Sequence, residues 1–183
     1  MQGTDEELYR VYRQRGEQEA LRCLFDRYSE GLMLFLCGYT RSIEDAEELM
    51  IDSFAEVAAG TNIFSGKSGF KTWLFSVGKH QALMLIRKQK HTSVPMQSEP
   101  AELRSPELEL LKDEQKRQVY LALNRLADDY RMVLLLRFVE DMSIEEISEI
   151  MRKRTKQVYN LLDRGKQALK KELVRIGFEY EQL

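Results

Sequence analysis

The chain has 183 residues, 43% of them apolar, a formal net charge of -2, and only 10 glycines and 3 prolines. That apolar content supplies packed cores and excludes a wholly disordered chain, while Leu, Glu, Lys, Arg and Met outnumber the helix breakers, so the expectation is an all-α protein. No apolar run is long enough to span a bilayer and the first twenty residues are charged where a leader would be apolar, so a cytoplasmic protein without membrane insertion is expected, with Cys23 and Cys37 as free thiols.

In chain order, residues 17–40 place Leu21, Leu24, Phe25, Tyr28, Leu32, Phe35 and Leu36 at three-and-four spacing, which predicts a helix with a wide buried face and an end weakened by Gly38. Ser42, with Asp45 three residues on, predicts an N-cap, and Gly60 a stop. Between them Ile43, Ala46, Leu49, Met50, Ser53, Phe54 and Val57 face inward, leaving the acids outside. TNIFSGKSG, residues 61–69, has no period and reads as a loop. Helical spacing resumes in FKTWLFSVGKHQALMLIRKQKH through Trp73, Leu74, Val77, Leu83, Leu85 and Ile86.

All three prolines then fall within residues 92–107, the one interdomain linker the sequence offers. The domains expected are 1–92, a linker at 93–110, and 111–183. Beyond the linker the pattern predicts a long helix, a break around Ala127 to Asp129, an apolar helix through Phe138, and a helix capped by Ser143 and Glu146. After the break RKR a final helix carries Val158, Leu161, Leu162, Gly165 and Leu169 on one side.

Charge is segregated along the chain. Residues 44–56 hold six acids and no base, and residues 79–90 hold four lysines or arginines and no acid. From Arg152 to Lys171 there are eight bases against Asp163 alone, preceded by Glu140, Asp141, Glu145, Glu146 and Glu149. Two helices joined by a short break, the second polar and basic outside, are the pattern of a helix-turn-helix. Lys156, Tyr159, Asn160, Asp163, Arg164, Gln167 and Lys170 lie away from the apolar seam, where Arg and Lys suit guanine edges and Asn and Gln suit adenine. The basic side is then expected to meet DNA and the acidic side to be kept off it.

In the first half, Phe64, Phe70, Trp73 and Phe75 lie near Lys67, Lys71, Lys79, Arg87 and Lys88. Aromatics stacked on exposed bases with lysines on the backbone are one reading, and core packing of Phe70 and Trp73 is the other. His80 suits a base or phosphate, and no third ligand is spaced to join it and His91 in a metal site. SGKSG lacks the upstream frame of a phosphate-binding loop and follows no strand. No catalytic group, metal or cofactor is expected.

FKTWLFSVGKHQALMLIRKQK resembles the promoter-melting and −10 element segment of group 4, or extracytoplasmic function, sigma factors, and EDAEELMIDSFAEV the helix before it. LNRLADDYRMVLLLRFVEDMSIEEISEIMRKRTKQVYNLLDRGKQAL resembles their −35 binding domain. The resemblance covers roughly residues 14–92 and 111–173. It implies two small helical domains joined by a flexible linker, the second containing a helix-turn-helix. It also implies bacterial core RNA polymerase as partner, with Asp45, Leu49, Asp52 and Phe54 at the β′ clamp helices and the second domain at the β flap. Thr61 to Gly69 would take a flipped base, with Lys67, Lys71, Trp73, Lys79, His80, Met84, Arg87 and Lys88 along the −10 element. Arg154, Lys156, Gln157, Asn160 and Arg164 would read the −35 element of promoter DNA. An anti-sigma partner is implied by the resemblance alone.

The chain departs from the family where Lys79, His80 and Met84 replace an Arg-Asn pair followed by Asp. It departs again where Arg152 replaces Gly before the turn, and where Asn160 and Leu161 replace Ser-Arg, so no promoter consensus is carried over. The expected function is to direct core RNA polymerase to promoters and assist their opening. A stand-alone helix-turn-helix regulator and an initiation-inactive sigma-like interaction protein remain the alternatives.

Overall fold

The computed structural model describes residues 3–91 and 114–178. The linker expected at 93–110 and the tail beyond Phe178 lie outside the described residues. Every regular element among those described is helical. The chain splits into two compact units, residues 3–91 forming the first and the helices from Glu114 onward making up most of the second.

The first unit opens with α1, Asp5–Arg15, a helix that the sequence pattern does not announce. Thr4 Oγ1 accepts from Glu7 N at 3.3 Å and Glu7 Oε2 accepts from Thr4 N at 2.9 Å. This reciprocal cap satisfies two amides the first turn leaves open. Leu8 and Tyr9 bury its inner side. α2, Gln18–Thr40, buries Leu24, Leu32, Phe35 and Leu36 and runs on through Gly38, which is itself buried, so the glycine does not weaken its end as expected. Asp5 takes Arg27 at 2.7 Å and also accepts from the Tyr28 hydroxyl. Burial first, and then that bond, push the Tyr28 hydroxyl well above the usual phenol range.

α3, Ile43–Ala59, starts where Ser42 Oγ accepts from Asp45 N at 3.1 Å and ends at Gly60, whose φ of 67° suits a residue without Cβ. Ala46, Leu49, Met50, Ser53, Phe54 and Val57 are buried, as the spacing predicts. After the loop comes α4, Phe70–His91, with Phe70, Leu74, Phe75, Val77 and Ala82 inside. Ser53 Oγ stands 2.7 Å from both Leu49 O and Gln81 Oε1, either of which can take its one hydroxyl proton, and Gln81 Nε2 donates to Glu56 Oε1 at 2.8 Å. A buried serine is thus satisfied and α3 is fixed against α4.

The second unit comprises α5, Glu114–Asn124, α6, Asp128–Leu134, a wide π turn over Leu135–Val139, α7, Ile144–Met151, and α8, Thr155–Arg175. The break falls at residues 125–127, two residues earlier than expected, because Ala127 is the extended cap and Asp128 and Asp129 occupy the first turn of α6, where open amides favour carboxylates. Arg131 is 1% exposed. Its guanidinium donates to Asp128 Oδ1 at 2.7 Å and to Asn124 O at 3.3 Å, bridging the break. Ser143 and Glu146 form the expected capping pair, with Glu146 N to Ser143 Oγ at 3.2 Å and Ser143 N to Glu146 Oε2 at 2.8 Å. α6 packs on α8 where Gly165 is buried, and a Cβ there would stand 3.4 Å from Leu134.

Candidate functional site

On α3 the residues opposite the core form one ridge: Glu44, Glu47, Glu48, Ile51, Asp52 and Ala55 are exposed, at the spacing of successive helical turns. Asp52 lies on it. Asp45 is half-buried, with Gln89 Nε2 at 3.5 Å from its Oδ2, the long limit of a hydrogen bond. Leu49 and Phe54 are 7% and 5% exposed, and the Phe54 ring packs on Phe25 with centroids 4.9 Å apart. These two hold the helix down, while Asp52 is on its outer surface. Ile51 is 51% exposed in the middle of this acidic ridge. Sequence reasoning passed it over, and its signal was an isoleucine off the inner spacing with acids on either side.

The loop 61–69 is held from α1. Tyr9 Oη accepts from Phe64 N at 3.3 Å and Glu6 Oε1 accepts from Phe70 N at 3.2 Å. The rings of Tyr9, Phe64, Phe70 and Trp73 gather with centroids 5.5 to 5.9 Å apart. Phe70 is fully buried there and Trp73 is half-buried. Core packing thus accounts for Phe70, and Trp73 keeps an exposed part. The tip leaves Ile63 67% exposed and Lys67 in solvent.

Along α4, His80, Met84, Arg87 and Lys88 are exposed and fall on one face by their spacing. Lys79 is half-buried. Lys71 is half-buried as well, its Nζ 5.8 Å from the ring centroids of both Tyr28 and Phe75, where an ammonium is attracted to the aromatic faces. The −10 residues expected from the sequence therefore divide into a ridge on α4, a solvent-facing loop lysine, and three side chains partly taken up by packing.

α8 is the sharpest of the three surfaces. Val158, Leu162, Gly165 and Leu173 are buried, and Lys156, Asn160, Asp163, Arg164 and Gln167 are exposed on the other side. Arg154 and Gln157 are exposed at its start, where Gln157 Oε1 accepts from Arg154 N at 2.8 Å and so helps cap the helix. Leu161 is half-buried, as befits a place on the apolar seam. Tyr159 is 56% exposed. The turn before the helix is closed by Lys153 N donating to Ser148 O at 3.1 Å, and Lys153 Nζ reaches Asp129 at 2.9 Å. Lys156 in the first turn of this helix and Arg164 and Lys166 along its middle are exposed cations.

Among the described residues no group of three or more His, Cys, Asp or Glu side chains converges for a metal, and no helix is long and apolar enough to cross a membrane.

Two family profiles match this chain, Sigma-70 region 2 over residues 24–92 and Sigma-70, region 4 over residues 116–169. The ECF RNA polymerase sigma factor SigX of Bacillus subtilis (strain 168) is 29% identical over 164 residues, 85% of this chain and 84% of its own. The sigma factor RpoE, in its co-crystal structure with the anti-sigma factor NepR from Bartonella quintana, shares the fold with a TM-score of 0.64 at 22% identity, over 83% of this chain and 95% of its own. CnrH, in complex with the cytosolic domain of CnrY, does so with a TM-score of 0.67 at 19% identity, over 93% and 97% of the respective chains. The two profiles fall in chain order on the two helical regions, the second running from α5 into α8 and so including the pair α7 and α8.

Proposed function

This chain belongs to the extracytoplasmic function group of the sigma-70 family, the non-catalytic subunits that direct RNA polymerase to promoters, and on that premise we propose how its surfaces share the work. The acidic ridge of α3, centred on Ile51 and Asp52 and flanked by the half-buried Asp45, docks on the β′ clamp helices of core polymerase. The α4 ridge of His80, Met84, Arg87 and Lys88 lies along the −10 element, with Lys67 and the loop receiving an unstacked base. α8 enters the major groove of the −35 element through Lys156, Asn160 and Arg164, Arg154 and Gln157 standing at its leading end, and the second unit meets the β flap. Opening is favoured by the free energy of holding unstacked bases and single-stranded backbone.

The observation that carries this division is the register of α8. A helix anchored by Val158, Leu162 and Gly165 turns Lys156, Asn160 and Arg164 outward together, the donor types that read base edges and phosphates. An anti-sigma partner is part of the proposal: RpoE was solved with the anti-sigma factor NepR, and CnrH with the cytosolic domain of CnrY. Covering the polymerase-facing ridge would keep the chain idle.

Binding of the labelled chain to purified core polymerase without DNA, followed by binding of the assembled holoenzyme to promoter duplex, tests the division. Asp52→Lys together with Ile51→Ala should weaken core binding by roughly tenfold or more while leaving the circular dichroism native. Lys156→Ala should leave core binding intact and weaken the duplex. Leu49→Ala serves as the contrast: it removes a buried side chain and should cost about 2–5 kcal/mol of stability, so any loss of binding there reports folding. Native core affinity in the Asp52→Lys, Ile51→Ala chain would remove α3 from the interface.

A further inference from the structure

On the outward face of α8 one residue has the wrong charge for its place. At about 100° per residue, Lys156, Asn160, Asp163 and Gln167 fall within roughly 60° of arc, directly opposite the buried seam. Arg164 and Lys166 stand about 80° to either side of Lys156, as side chains would that reach the phosphates on the two walls of a groove. Asp163 thus lies on the central ridge that meets base edges. It is the sole acid between Arg152 and Lys171.

Asp163 is also unengaged. It is exposed, and among the described residues no hydrogen bond or ion pair takes its carboxylate. The base best placed to neutralise it from one turn on, Lys166, holds its Nζ 5.6 Å from the Phe138 ring centroid instead. A bare carboxylate carried into a groove walled by phosphates is repelled unless it accepts a hydrogen bond there. In the major groove only two bases present a donor. Cytosine offers its N4 amine, and adenine offers N6 with the N7 acceptor beside it, while guanine and thymine present acceptors at that edge.

We propose that Asp163 is a specificity-determining residue of α8, accepting from the exocyclic amine of a base in the −35 element, cytosine ahead of adenine, and rejecting guanine and thymine at that one position. The inference rests on α8 being the −35 reader. It adds what the other side chains of the ridge do not: Lys156 only donates, Asn160 and Gln167 can donate or accept, and Asp163 alone can only accept. A single acid converts one step of the readout to the opposite hydrogen-bond sense and makes the wrong base a repulsive one.

The test uses holoenzyme assembled from the full chain and core polymerase, with a duplex pool randomised across the −35 element, bound fractions being sequenced. The unaltered chain should select cytosine, or adenine, over guanine at one position by roughly tenfold. Asp163→Ala should reduce that selection to under about twofold there and leave the other positions as they were. Asp163→Asn, whose amide pairs with adenine, should move the preference at the same position toward adenine. An unchanged profile in Asp163→Ala, or affinity raised equally for every sequence, overturns the proposal. Lys156→Ala separates the two levels: if it lowers duplex affinity while Asp163→Ala leaves the profile unchanged, only the role of Asp163 falls. If Lys156→Ala has no effect on duplex affinity or its salt dependence, the docking of α8 falls with it.

Discussion

Arg152 stands at the C-terminal end of α7 with φ of 52°, one of three residues other than glycine with positive φ among those described. The left-handed conformation brings Cβ against the backbone and costs roughly 1–2 kcal/mol. Glycine escapes that cost at the expense of a floppier unfolded chain. The fold therefore asks for glycine where this sequence has arginine. Arg152→Gly should stabilise the chain by about 1 kcal/mol, read as a higher midpoint in urea unfolding with an unchanged slope. A lower midpoint would mean that the arginine makes an interaction worth more than the strain. That an arginine stands before the last helix was plain in the letters. Its energetic sense was not, because the sign of φ is set by how α7 turns into α8.

At the level of elements, legibility followed how each helix is specified. α3 was readable at both ends because Ser42 and Gly60 mark them chemically, and its inner face because its buried positions repeat with the helical period. α8 was readable in the same way, and with it the outward placement of Lys156, Asn160 and Arg164. α1 was missed even though Thr4 and Glu7 spell its cap: Leu8 and Tyr9 are its only fully buried side chains, too few to stand out from the charges around them. Ile51 was missed because a sequence pattern ranks inner positions, whereas its interest lies in being outside. Gly78 shows what spacing cannot convey. A Cβ there would stand 3.0 Å from Leu32, 3.3 Å from Leu36 and 3.3 Å from the Ser53 hydroxyl, so α2, α3 and α4 meet over a residue that looks like a helix flaw. Gly78→Val should destabilise by about 1–3 kcal/mol through overpacking, outweighing its gain in helix propensity. Thermal unfolding followed by circular dichroism checks it, and an unchanged or higher midpoint would show that the three helices shift apart easily.

For the whole molecule, the formal charge of -2 conceals acid and base gathered in separate segments. A chain of that net charge gains little from a polyanion by itself, while the bases of α4 and α8 gain from it locally. On the proposed docking, polymerase joined at the acidic ridge would make the later DNA contacts effectively intramolecular, a step that multiplies affinity by about 10²–10⁴ where geometry permits. The free chain should therefore bind promoter duplex at least roughly a hundredfold more weakly than the holoenzyme. In the holoenzyme, Arg164→Ala should reduce the slope of log affinity against log salt by about 1, as follows when one phosphate is no longer neutralised by the protein. Titrations across salt concentrations check both. Equal affinity with and without polymerase would favour a stand-alone regulator instead. The first unit shows a different form of long reach. Phe64 and Phe70 take their amide partners from Tyr9 and Glu6, 55 and 64 residues earlier in the chain. The conformation of loop 61–69 is therefore written outside the loop: transplanted into another protein, those nine letters would carry their composition with them and leave their shape behind.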